Sequence, residues 1–85
     1  MSQDMLNQRI KILQQRIYSY LDQQNMSLRE LAKKSNLNYN SLWRRLNDPP
    51  EKVNLTLRTL LLIADSLEIT VSDLLIEQAY INKKI

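Results

Sequence analysis

The chain has 85 residues, with 12 Lys plus Arg against 9 Asp plus Glu, a formal net charge of +3, and no Gly, Cys or His. Lacking Gly, it cannot build the loops that bring backbone onto phosphate in Walker or Rossmann motifs. Lacking Cys and His, it has no disulfide, no zinc site of thiolates and imidazoles, and neither a Ser-His-Asp nor a Cys-His nucleophile. The expectation is one domain over residues 1–85 (core about 5–78, tail 79–85), not an enzyme, held by packing without metal or cofactor.

Residues 1–50 carry eight basic and four acidic side chains, and residues 51–85 carry four and five. The positive charge is therefore concentrated in the first half, where a polyanionic partner would meet it. The longest apolar run, Leu60–Ala64, is far short of the ~20 residues of a membrane helix. The Met1-Ser2-Gln3-Asp4 start has no basic, apolar signal character, so the expected location is the cytoplasm.

Helical spacing dominates, and no alternating run long enough for a strand occurs. Leu6, Ile10, Leu13, Ile17 and Leu21 make one apolar stripe across roughly residues 4–24. Arg9, Lys11, Gln14, Gln15 and Arg16 read as its solvated face. Ser27-Leu28-Arg29-Glu30 is a capping box that starts a second helix, with Met26 and Leu31 as a hydrophobic staple. Leu28, Leu31 and Ala32 face inward, Arg29, Lys33 and Lys34 outward, and the helix ends near Ser35.

Asn36-Leu37-Asn38 then stops one helix and starts another. Asn36 suits the left-handed turn position, so a positive φ is expected there. Leu37 folds back on the core, and Asn38 caps a third helix from Tyr39 to about Asn47. At 100° per residue from Tyr39, Leu42 and Leu46 fall inward at about 300° and 340°. Tyr39, Trp43, Asn47, Asn40 and Arg44 form a contiguous outward face from about 0° to 140°, without carboxylates and rich in planar hydrogen-bonding groups. Pro49 and Pro50 end this helix after Asp48.

An eight-residue connection, Asp48–Leu55, leads to a helix capped by Thr56, with Leu55 and Leu60 as its staple. Its predicted core stripe is Leu57, Leu60, Ile63, Ala64 and Leu67, with Leu62 pointing away. Thr70 caps a fifth helix, Asp73 completes that capping box, and Val71, Leu74 and Leu75 are expected to face the core.

The run from Ser27 to Leu42, with Thr59–Thr70 and Val71–Leu75, resembles the lambda repressor and Cro (Xre-type) helix-turn-helix family. The resemblance implies a compact all-α, five-helix DNA-binding domain, with the helix-turn-helix at helices 2 and 3. Three features, at four positions, depart from the family pattern. Asn36 stands for the turn Gly, Leu28 for a phosphate-touching Gln, and Leu21 and Leu46 for an Arg–Glu pair. An apolar pair in place of a buried ion pair is often neutral or stabilising.

The resemblance also implies that helix 3 enters the major groove of double-stranded DNA. Tyr39, Asn40 and Arg44 then fall at base readers, with Trp43 beside them at the core's edge. Asn suits adenine and Arg suits guanine. Ser27, Arg29, Asn38, Ser41, Arg45, Asn47, Lys52, Asn54 and Arg58 are the candidates for the DNA backbone. One recognition helix covers half a site, and Leu62, Ile76 and Tyr80 lie off the core, with Ile81 and Ile85 further on. A homodimer on an operator is expected. The resulting expectation is a transcriptional regulator of repressor type. The alternative is a protein-interaction module, antitoxin or antirepressor that uses the helix-turn-helix as scaffold.

Overall fold

A computed structural model describes residues 2–75. Their elements are α1 (Gln3–Gln23), α2 (Leu28–Ser35), α3 (Tyr39–Asn47), a 3-10 turn (Pro50–Lys52), α4 (Leu57–Ser66) and α5 (Val71–Leu75), with no strand among the described residues. Each predicted cap is in place. Ser27 Oγ accepts from the Glu30 amide while Glu30 Oε1 accepts from the Ser27 amide. Asn38 Oδ1 accepts from Ser41 N at 3.0 Å, and Thr56 Oγ1 accepts from Thr59 N at 3.2 Å. Thr70 and Asp73 form the last reciprocal pair, at 3.0 and 3.1 Å.

Every helix contributes to one core. Ile17, Leu31, Leu42, Ile63 and Leu74, one from each helix in order, are fully buried together with Leu67. Each such side chain gains about 1.5–3 kcal/mol from leaving water. Leu21 and Leu46, the apolar substitutes for the ion pair, both lie in this cluster.

The turns share one device. Asn25, Asn36 and Glu68 have φ of 54°, 59° and 58°. Past each of them, the next amide returns to the helix carbonyl five residues back, always at 2.9 Å: Met26 to Leu21, Leu37 to Ala32, Ile69 to Ala64. This is the Schellman closure, and its apolar follower belongs against the helix it closes. Met26, Leu37 and Ile69 do pack on the core. The positive φ expected at Asn36 is present, with ψ 35°. Those at Asn25 and Glu68 were not foreseen.

Four side chains depart from the sequence reading. Gln14, placed on the solvated face, is 7% exposed. Leu6 is exposed, in a hollow it lines with Ile10, Leu13, Leu74 and Leu75, and the α1 stripe is buried only at Leu13, Ile17 and Leu21. Leu57, placed in the core, is 67% exposed, because Thr59, Ile63 and Ala64 take the buried side of α4. Leu75 is exposed while Leu74 fills the core. The eight-residue connection also contains the unforeseen 3-10 turn.

A left-handed residue with a Cβ costs about 1–2 kcal/mol, and Asn tolerates the position better than Glu. Glu68→Gly should therefore stabilise the domain by about 0.5–1 kcal/mol after the added freedom of the unfolded chain is subtracted. In a thermal melt this is a rise of about 2–8 °C. Asn36→Gly should gain less, and Asn36→Val, β-branched at positive φ, should lower the melting temperature.

Candidate nucleic-acid interface

α3 has no acidic residue, and its polar side faces solvent. Asn40, Trp43, Arg44 and Asn47 are exposed, and Tyr39 is half-buried. Leu42 and Leu46 anchor the opposite side in the core. The helix therefore presents a ridge of amide, indole and guanidinium groups whose orientation is set by two buried leucines. Trp43, at 46% exposure, belongs to this ridge rather than to the core.

The N-terminal end of the ridge is joined to α2. The Arg29 guanidinium lies 4.6 Å from the centre of the Tyr39 ring. A cation over an aromatic face at an exposed site is worth about 0.5–1 kcal/mol. The stack leaves the guanidinium edge free to donate. It also brings a predicted backbone contact onto a predicted base reader.

The C-terminal end of α3 is held by α1. Gln14 Nε2 donates to the carbonyls of Arg45 at 2.9 Å and Asp48 at 3.1 Å. Carbonyls at a helix end have no partner within the helix, and one buried amide supplies both. Tyr18 hydroxyl accepts from Asn47 Nδ2 at 2.6 Å, and the same nitrogen donates to Trp43 O at 2.9 Å. Both amide hydrogens of Asn47 are therefore used within the protein. That differs from the expected donation to a phosphate, since phosphate oxygens need a donor. The Tyr18 hydroxyl, accepting here, keeps its own hydrogen.

Beside the ridge, Ser41, Arg44, Arg45, Lys52 and Asn54 line one cleft together with Asp48 and Val53. Arg45 Nε approaches Asn54 O at 3.4 Å, tying the connection to the helix. Four predicted backbone contacts thus meet one predicted base reader, with three cations around one carboxylate. Ser27 and Asn38 are exposed but already serve as caps through their side-chain oxygens. Arg58 is elsewhere, on the outer side of α4 with Leu57, Leu61, Leu62 and Asp65. Leu62 is half-buried. Ile76, Tyr80, Ile81 and Ile85 lie outside the described residues.

A protein-family model described as the Cro/C1-type HTH DNA-binding domain matches residues 16–79. The chain belongs to this family. No curated protein and no solved structure matches it. At the level of the Cro/C1-type family the chain is a DNA-binding regulator, and the observed fold is the one the sequence resemblance implied. No group of His, Cys, Asp and Glu able to hold a metal occurs among the described residues, and none of their helices is long and apolar enough to cross a membrane.

Sequence reasoning missed Gln14 and Tyr18 in this Cro/C1-type domain. The available signal was their spacing: four apart on α1, each one residue after a core position, Leu13 and Ile17. Such a row borders the apolar stripe and faces whatever packs against it.

Gln14→Met keeps the volume and removes both bonds, leaving two carbonyls without their donor. A loss of about 1–3 kcal/mol is expected in urea denaturation. Gln14→Glu should cost more, because it turns a carboxylate toward the same two carbonyls. Equal unfolding midpoints for Gln14→Met and the unmodified chain would contradict the clamp.

Proposed function

We propose that this domain is a sequence-specific, double-stranded-DNA-binding transcriptional regulator acting in the cytoplasm. In this reading it is a repressor, works without enzymatic activity or cofactor, and occupies its operator as a homodimer with α3 in the major groove. The observation that carries the reading is the exposed, carboxylate-free ridge of Asn40, Trp43 and Arg44. It is flanked by the cationic cleft of Arg44, Arg45 and Lys52.

Each group has a role that fits its chemistry. Asn40 pairs with adenine through its amide, and Arg44 with guanine through its fork. Tyr39, steadied by Arg29, meets a thymine methyl or a neighbouring phosphate, and Trp43 lies along the groove wall. Arg29 and the first amides of α2 take one phosphate, helped by the positive end of the helix. Arg45, Lys52, Asn54 and Ser41 take phosphates on the other side. Tyr18, not Asn47, supplies the hydroxyl donor at the far end of the ridge. Repression follows from occupancy, since a bound operator is closed to other proteins.

Selection of bound duplexes from a random pool tests the reading directly. A two-fold symmetric site with half-sites about one helical turn apart is expected. Asn40→Ala and Arg44→Ala should each relax preference at one position per half-site, by about 1–3 kcal/mol. Arg29→Ala and Lys52→Ala should weaken all duplexes alike and flatten the salt slope by about 1 per contact removed. A protein-interaction module built on the same scaffold would show no duplex affinity even at low salt. Unchanged affinity and base preference in Arg44→Ala would remove α3 from the groove.

A further inference from the structure

α4 is apolar on two opposite sides. With Leu57 at 0° and 100° per residue, the inward residues Thr59, Leu60, Ile63 and Ala64 lie between about 200° and 340°. On the same scale Leu57, Leu61, Asp65, Arg58 and Leu62 fill the sector from about 0° to 140°. Leu57 is 67% and Leu61 52% exposed, and Leu62 is half-buried. All three line one surface depression with Arg58 and Asp65. A helix apolar on both sides belongs inside a structure, and an apolar patch framed by charge marks an interface.

The order of charges along this face decides what covers it. Arg58 and Asp65 are seven residues apart, two turns along nearly the same line, or about 10 Å. Leu61 and Leu62 sit midway between them. A two-fold axis through that midpoint, normal to the helix, sets Arg58 of each copy against Asp65 of the other. The leucines then meet at the centre. A face carrying one positive and one negative end about an apolar middle is complementary to itself, as an isologous contact requires.

We propose that the outer face of α4 binds a second copy of this chain, antiparallel, about an axis between Leu61 and Leu62. The proposal deepens the homodimer reading above, and it assigns Arg58 to the partner instead of to DNA. One helix face is small, at the weak end of specific interfaces. The dimer is therefore in the micromolar range, and its population follows the protein's concentration.

The test is sedimentation of the full chain without DNA, from about 5 to about 500 µM, which spans the affinity a contact of this size supports. The unmodified chain should pass from monomer to dimer across that range. Leu61→Glu should remain monomeric, and Asp65→Arg, which sets like charge against Arg58 of the other copy at both ends of the contact, should weaken the dimer at least about tenfold. The double variant Arg58→Asp/Asp65→Arg restores the pairing with signs reversed and should recover the dimer. These positions are exposed or half-buried, and circular dichroism melts within a few degrees of the unmodified chain would show that the variants fold.

Three results overturn the proposal. The first is a chain monomeric throughout, in which Leu61→Glu lowers the melting temperature; this gives the face to the chain's own residues 76–85. The second is a dimer indifferent to Leu61→Glu and Asp65→Arg. The third is failure of the double variant to recover. None of these bears on whether DNA is bound. That is read separately, from the salt-dependent affinity of the same samples for a selected duplex.

Discussion

A chain without glycine that must reverse three times between helices depends on left-handed residues with side chains. Asn25, Asn36 and Glu68 meet that constraint, and each is followed by an apolar residue that inserts into the core. The closure fixes where the next helix begins, because the returning amide and the inserted side chain together set the exit direction. α2, α3 and α5 all take their starting points this way. α4 alone is reached differently, through Pro49, Pro50 and a 3-10 turn. There proline stiffness replaces the left-handed bend.

This arrangement leaves α1 free to act as a brace. Its buried stripe supplies core, and glutamines just beyond that stripe hold the ends of other helices. Gln14 serves α3, and Gln24 donates to Leu67 O at 2.7 Å at the end of α4. Helix ends buried against neighbours need such partners, since their carbonyls are otherwise orphaned. Long amides reach across a helix–helix gap without a net charge, and so satisfy carbonyls at little desolvation cost. The exposed ridge of α3 thus rests on a core below it, an arginine stack at one end and an amide clamp at the other.

The sequence reveals most of the fold because most of its determinants are local. Capping boxes at Ser27 and Thr70, the caps at Asn38 and Thr56, and the pair Leu42–Leu46 act within four residues of themselves. Asn36 was legible because a turn of known geometry had to lie between two capped helices. Asn25 carries the same local signal as Asn36, whereas Glu68 was not legible, because Glu has no preference for positive φ. The misplacement of Leu57 has a similar cause. α4 has two apolar sides, and periodicity cannot say which of them meets the rest of the molecule. The spacing of Gln14 and Tyr18 marks a row bordering the apolar stripe, but their partners lie 29 to 34 residues away, and no local pattern says which groups that row will meet.

The clamp at the end of α3 has one more consequence. A nine-residue helix is too short to persist alone in water, where helices below about 12–15 residues are marginal. Its last turn would ordinarily fray. With the carbonyls of Arg45 and Asp48 held by Gln14, and Asn47 tied to Tyr18, that turn is already ordered in the free protein. Little conformational entropy then remains to be lost when α3 meets a ligand, and association proceeds between preformed surfaces. Such binding lacks the large negative heat-capacity change of coupled folding.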